Sequence, residues 1–248
     1  RATSRNMDVK NLSEWAKLKG ITLMGTGDFT HHLWLEELKH ALEDCGNGLY
    51  NYNGIYFILT AEVSSIYSKK GKTYRVHNLI FSPSFKTTDK INEKLSRIGN
   101  LASDGRPILG LDAAELARIV FDIDENCMLV PAHIYTPWFS VFGSMSGFDR
   151  IEDCFEEQTS KIFSIESGLS SDPAMSWRLS ALDRFSIISN SDAHSPQKIG
   201  REANVFDCEL DYKTIRDVLK TKDKKRFLYT VEFFPEEGKY HFDGHRLC

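Results

Sequence analysis

Phe185-Ser186-Ile187-Ile188-Ser189-Asn190-Ser191-Asp192-Ala193-His194 couples a short apolar strand to a polar run at its carboxyl end. Asp192 and His194 stand at i and i+2, so on an extended segment both side chains point the same way. A carboxylate and an imidazole presented together have metal-ligand chemistry. The same arrangement recurs along the chain. Ile21-Thr22-Leu23-Met24 runs into Gly25-Thr26-Gly27-Asp28, with His31 and His32 just beyond. Tyr56-Phe57-Ile58-Leu59-Thr60 runs into Ala61-Glu62, and Tyr74-Arg75-Val76 meets His77. Met128-Leu129-Val130-Pro131 leads to Ala132-His133, and Phe163-Ser164-Ile165 to Glu166.

Between these strands the apolar spacing is helical. It predicts helices over Val9–Lys19, Leu33–Leu42, Asp89–Leu101, Asp112–Asp122, Phe148–Gln158 and Tyr212–Leu219. Asp172-Pro173 opens one more, with Asp as N-cap and Pro at the first helical position, carrying Trp177, Leu179 and Leu182. Ile55–Val63 and Ile66–Phe81 read as a hairpin turned by Lys69-Lys70-Gly71-Lys72, and Arg226–Phe233 as a last strand. Strands alternating with helices predict an α/β fold with a parallel sheet, open or closed. In a (β/α) barrel, the side chains at the C-terminal strand ends converge on one mouth. Carboxylates crowded there repel one another, and divalent cations relieve that repulsion while using the same groups as ligands. A lone His after a strand is usually a satisfied structural residue. Six coincidences at strand ends instead predict a multinuclear site of mixed His and Asp/Glu ligands. His40 has no such placement and is expected to be a solvated helix residue.

Composition narrows the partners. With 31 Lys+Arg against 35 Asp+Glu the formal net charge is -4, which excludes a globally basic DNA-coating protein. No apolar run approaches the ~20 residues of a membrane helix, and no signal peptide is visible. The five cysteines, Cys45, Cys127, Cys154, Cys208 and Cys248, are odd in number and widely spaced, so the expected compartment is the cytoplasm. The chain opens at Arg1 without an initiator Met and closes on Arg246-Leu247-Cys248; both ends are expected to be cuts through a longer protein.

Ser189-Asn190-Ser191-Asp192-Ala193-His194-Ser195-Pro196 resembles the last metal motif of the PHP (polymerase and histidinol phosphatase) superfamily. Asp28 lies where that superfamily closes its Thr-Asp-His motif, and Glu62, His77 and His133 lie where it has its Glu and next two His ligands. Longer stretches narrow the resemblance. Met24-Gly25-Thr26-Gly27-Asp28-Phe29-Thr30-His31, Pro137-Trp138-Phe139-Ser140-Val141-Phe142-Gly143-Ser144-Met145-Ser146-Gly147-Phe148 and Gly238-Lys239-Tyr240-His241-Phe242-Asp243-Gly244-His245-Arg246 are similar to the endonuclease Q family. The resemblance spans nearly the whole chain. It implies a distorted (β/α)7 PHP-type barrel with the metal site at the C-terminal strand ends. It also implies an enzyme that nicks DNA 5′ to deaminated bases (uracil, hypoxanthine, xanthine) or abasic sites. The barrel is expected over residues 1–234, and residues 235–248 as a poorly ordered tail leading to a truncated zinc-binding module, for which His241, His245 and Cys248 have ligand chemistry. One departure is the missing His-x-His opening motif. The acidic ligand position after it falls near Ser4, which cannot replace it, and a trimmed N-terminus is expected because the later ligands are intact.

The expected ligands of two or three divalent metals (zinc, manganese, iron or magnesium) are Asp28, Glu62, His77, His133, Asp192 and His194, with Asp28, Glu62 and Asp192 carrying the catalysis and Glu62 as a bridging carboxylate. His31 is a ligand, a support behind a ligand or a phosphate contact, and Glu166 a support or a base. Arg178, Arg184 and Arg201 are equal candidates for a phosphate. Tyr135, Trp138, Phe139 and Phe142 either stack on a flipped base or fold back on the barrel wall. The basic runs Lys69-Lys70-Gly71-Lys72 and Lys220–Arg226 are solvated ends or phosphate contacts. Two other functions fit the same residues: a PHP-type phosphoesterase acting on a small phosphate monoester, and a noncatalytic DNA-binding module.

Overall fold

The computed structural model describes residues 2–103 and 105–243. In chain order the elements are α1 (Val9–Lys19), β1 (Leu23–Gly25), α2 (His32–Ala41), β2 (Glu43–Asp44), β3 (Tyr50–Tyr52), β4 (Ile55–Lys69), β5 (Lys72–Ser82), α3 (Phe85–Ser96) and β6 (Ile108–Leu109). They continue with α4 (Ala113–Ile123), β7 (Met128–Pro131), α5 (Ile151–Phe155), β8 (Ser164–Glu166), α6 (Pro173–Ser176), β9 (Ser186–Ile188), β10 (Ala203–Phe206), α7 (Tyr212–Thr221) and β11 (Phe227–Val231).

The long strand β4 is the spine. Along its first turns it is flanked by β3, antiparallel, and by β1, parallel. Further on, β5 takes the β3 edge and β6 the β1 edge, and β7 pairs antiparallel with β5. The β4–β5 hairpin closes at Lys69↔Lys72, with Lys70 at φ 51° and Gly71 at φ 78°. Two positive φ values in a two-residue loop match the right-handed strand twist, which holds the two strands in register. The sheet is therefore mixed, not the parallel sheet that the βα alternation predicts. Among the described residues, parallel pairing is confined to β1–β4, β4–β6 and β8–β9. The antiparallel hairpin is a local contact and forms regardless of the crossovers around it.

The β8–β9 pair continues the row of strand ends. Ala132 N–H donates to His77 O (3.0 Å), Ile134 N–H to Glu166 O (3.1 Å) and Ser167 N–H to Ile188 O (3.0 Å), linking the middle of β5 to the carboxyl ends of β7, β8 and β9. Side chains sort by parity. On β4, Phe57, Leu59, Ala61 and Val63 enter the larger core cluster, while Ile58 enters a second one with Met128, Val130, Ile188 and the α7 residues Ile215 and Leu219. Period two then places Glu62 on the Ile58 face, and His77 on the same face as Leu79 and Phe81.

Helix α1 falls on its predicted bounds because Asp8 caps it and Gly20, at φ 70°, ends it. Helix α3 starts earlier than predicted, since Ser84 accepts from the Thr87 N–H. The helix expected after Asp172-Pro173 lasts only Pro173–Ser176, and a 3-10 turn, Ser180–Leu182, follows. The tail is not loose where it is described. Pro235 is buried, Tyr240 N–H donates to Ser170 Oγ (3.1 Å), and His241 Nδ1 lies 3.1 Å from Ser170 O. His245 and Cys248 lie outside the described residues.

Candidate metal centre

Three of the predicted ligands meet. Glu62 Oε1 lies 2.9 Å from His77 Nδ1 and 3.3 Å from His133 Nε2, and the two ring nitrogens are 3.3 Å apart. These ligand atoms all lie within 4.8 Å of one another. Glu62 and His77 arrive by strand parity. His133 arrives differently: its φ is 28°, so the chain bends just past β7 and turns the ring inward. Asp28 (φ 52°) and Asp192 (φ 43°) share this left-handed backbone at their own strand ends. Such conformations cost a non-glycine residue roughly 1–2 kcal/mol and persist where the surroundings over-determine them, as at functional sites.

The electrostatics of the trio centre on Glu62. Burial pushes the Glu62 carboxyl up, but hydrogen bonds from His133 and His77 and the Arg106 charge outweigh it and hold the group well below the usual 4.5. Burial lowers His77 despite Glu62. Burial also pulls on His133, yet Glu62, with Glu166 and Asp192, more than offsets it and raises that imidazole. The pairing thus favours charge on Glu62 and on His133 and the neutral form of His77.

Around the cluster opens a cavity of about 760 Å³ lined by Asp28, Glu62, Arg106, His133, Glu166, Asp192 and His194. Asp28, Asp192 and His194 face this shared space but stand outside the tight trio. His194 Nδ1 is 3.7 Å from Asp192 Oδ1. Arg106 contacts Glu62 Oε2 through Nε and approaches Asp192 Oδ1 to 3.7 Å through Nη2. A second, hidden row supports the first. Glu166 Oε2 accepts from the His133 backbone N–H and Oε1 from Asn190 Nδ2, each at 2.8 Å. Burial raises the Glu166 carboxyl to about 7. Trp34 Nε1 donates to Gly27 O (2.8 Å) and Thr26 O (3.2 Å), which fixes the loop that carries Asp28.

Other predicted residues fall elsewhere. His31 is the N-cap residue of α2 and its ring stacks on His32 at 5.4 Å; it is not among the residues that line the cavity. Arg178 is exposed just beyond α6. Of the aromatic loop, Tyr135 and Phe142 pack together at 5.8 Å against the core. Phe139 lies 4.7 Å from the His77 ring, whereas Trp138 is 42% exposed beneath Arg75. Arg106, Asn190 and Trp34 were not singled out in the sequence. Arg106 follows a loop with no ligand-like pattern, and nothing local marks it.

The described residues therefore define a mixed α/β protein whose carboxylate–imidazole centre is built from Glu62 and His77 in the middle of β4 and β5, not at the strand ends expected of them, and from His133 just past β7. No family model matches the chain. The lesion-specific endonuclease PfuEndoQ of Pyrococcus furiosus superposes with a TM-score of 0.85 at 32% identity, over 96% of this chain and 57% of that one. An endonuclease Q held in complex with a 27-mer duplex bearing an abasic lesion at the active site gives 0.85 at 33% identity, over 97% and 58%. The protein MJ0043 of Methanocaldococcus jannaschii is 34% identical over 152 residues, 61% of this chain and 17% of that protein. The chain belongs to the endonuclease Q family. It spans less than two thirds of the length of each of these relatives.

Proposed function

We propose that this chain carries the catalytic site of a metal-dependent DNA repair endonuclease that cuts the phosphodiester 5′ to deaminated bases (uracil, hypoxanthine, xanthine) or abasic sites. The observation that carries this is the Glu62–His77–His133 cluster at the edge of the cavity, in a chain that follows endonuclease Q along nearly its whole length. The residues fit a divalent ion: two imidazoles and a carboxylate converge within bonding reach of one point, and a guanidinium already neutralises the carboxylate from its other side. Glu62, His77 and His133 hold the first ion, and Asp28, Asp192 and His194 complete the site for two or three ions drawn from zinc, manganese, iron or magnesium. Bound there, such ions supply an activated water and neutralise charge on phosphoryl oxygens. The chain's own part is positional. Glu166 keeps the His133 backbone fixed, and Trp34 keeps the Asp28 loop closed. Phe139 covers one face of His77, which limits water around that ligand.

The wider architecture we read as the distorted (β/α)7 barrel over residues 1–234, with residues 235–248 leading toward a zinc-binding module. The backbone links from β5 through β7 and β8 to β9 support the barrel. Cys45, Cys127, Cys154 and Cys208 are free thiols, which suits the cytoplasm. Among the described residues no helix is long and apolar enough to cross a membrane.

The test is a duplex with a single uracil or abasic site, incubated with the chain after chelation and after Mn²⁺ is restored. A nick 5′ to the lesion that needs Mn²⁺ and disappears in Glu62→Gln is expected. Equal cutting of an undamaged duplex would remove the lesion specificity, and turnover of p-nitrophenyl phosphate without DNA nicking would point to a monoester phosphatase.

A further inference from the structure

Arg106 brings a guanidinium among the carboxylates of Glu62 and Asp192, and its charge also faces Asp28. It is not a loosely tethered surface cation. Ser64 N–H donates to Pro107 O (3.0 Å), and β6 begins at once, pairing Ser64↔Ile108 and Ser65↔Leu109. The backbone next to Arg106 is thus fixed to β4 two residues beyond Glu62. Its side chain is 29% exposed, enough to reach the cavity without lying on the surface.

Glu62 divides its oxygens. Oε1 serves His77 and His133, while Oε2 faces Arg106. A carboxylate that shares its charge with a divalent ion offers less to a guanidinium, so the cation set behind it needs another anion. A guanidinium has five N–H donors in a planar fork, and the contacts to Glu62 and Asp192 engage only part of it. That fork matches phosphate oxygens, to which it can bond in pairs. We propose that Arg106 is the phosphate-binding residue of this site: it steadies Glu62 and Asp192 in the unliganded chain and passes its fork to a non-bridging oxygen of a phosphate group in the cavity. This rests on the phosphodiester-cleaving function proposed above and names the contact that would hold the scissile phosphate.

The experiment compares the wild-type chain with Arg106→Gln and Arg106→Lys. Calorimetry follows Mn²⁺ binding alone, then inorganic phosphate binding to the Mn²⁺-loaded chain. Removing a competing cation should leave Mn²⁺ affinity in Arg106→Gln equal or higher. Inorganic phosphate should bind about 10- to 100-fold more weakly, the effect of losing one or two charge-assisted hydrogen bonds. Arg106→Lys should recover part of that loss, as a point charge without the fork. Phosphate affinity unchanged in Arg106→Gln overturns the proposal. So does a parallel fall in Mn²⁺ affinity, because Arg106 would then be a structural prop for Glu62. A wild-type chain that binds Mn²⁺ and phosphate but leaves a lesion duplex intact sinks the nuclease function instead, and the phosphate-affinity comparison still decides the role of Arg106.

Discussion

Glu202 presents a testable electrostatic liability beside the site. It precedes β10, is 3% exposed and lines the cavity, and neither of its carboxylate oxygens meets a donor in good hydrogen-bond geometry. Burial raises its carboxyl from 4.5 to about 8; Glu232 and Glu166 add repulsion, and the Phe233 N–H and Arg201 relieve only part of it. The folded chain therefore keeps a proton that the unfolded chain releases across that window, so this residue's contribution to stability falls as pH rises from about 4.5 to about 8. Each pH unit within the window is worth about 1.4 kcal/mol. Between about pH 6 and about pH 8 the full effect is about 3 kcal/mol, and solvent screening at the open cavity reduces it to about half, roughly 1.5 kcal/mol. Glu202→Gln abolishes this titration. Urea unfolding of both proteins at about pH 6 and about pH 8.5 should show the variant gaining roughly 1.5 kcal/mol on the wild type between the two conditions. Other groups that titrate in that range cancel in the comparison. A stability difference identical at both pH values would mean that Glu202 is already ionised at pH 6 and paired, and the reasoning would be wrong.

Gly168 has φ 78°, and an added Cβ would stand 2.5 Å from His133 Cβ and 2.9 Å from His133 Cα. Gly168→Ala should therefore cost roughly 2–4 kcal/mol in unfolding free energy, from the left-handed backbone and the overpacking together, and should displace His133. A urea midpoint equal to that of the wild type would show that the loop moves aside freely. Glu166→Gln keeps the volume but weakens the grip on the His133 backbone. Mn²⁺ affinity measured by calorimetry should drop about 10- to 100-fold, as for other residues that orient a metal ligand from behind, and an unaltered affinity would place His133 under some other control.

Much of the centre was legible in the chain. Alternation along Ile55–Val63 put Glu62 on the face opposite Leu59, Ala61 and Val63, and the Lys69-Lys70-Gly71-Lys72 turn brought the strand of His77 alongside it. Both are local signals, set by a period of two and by a turn that needs positive φ. Asp192 and His194 were visible as neighbours two residues apart, although the left-handed backbone at Asp192 means that the segment is not extended there as the sequence predicts. Outside the β4–β5 hairpin the strand direction was not legible. Short partners such as β3 and β6 are two or three residues long, too brief for a pattern, and their pairing is decided by what the finished sheet leaves open.

The chemistry of the candidate ligands, and the strands that carry several of them, were determined by the sequence alone, because side-chain type and periodicity are written residue by residue. Which of those ligands touch was decided by the tertiary structure. His133 meets Glu62 through a backbone bend that Glu166 stabilises from 33 residues away, and Arg106 comes to Glu62 only because β6 seats beside Ser64. The physical reason is that such contacts join segments with no shared local pattern. They gain their energy from burial and charge that exist only once the strands are in register.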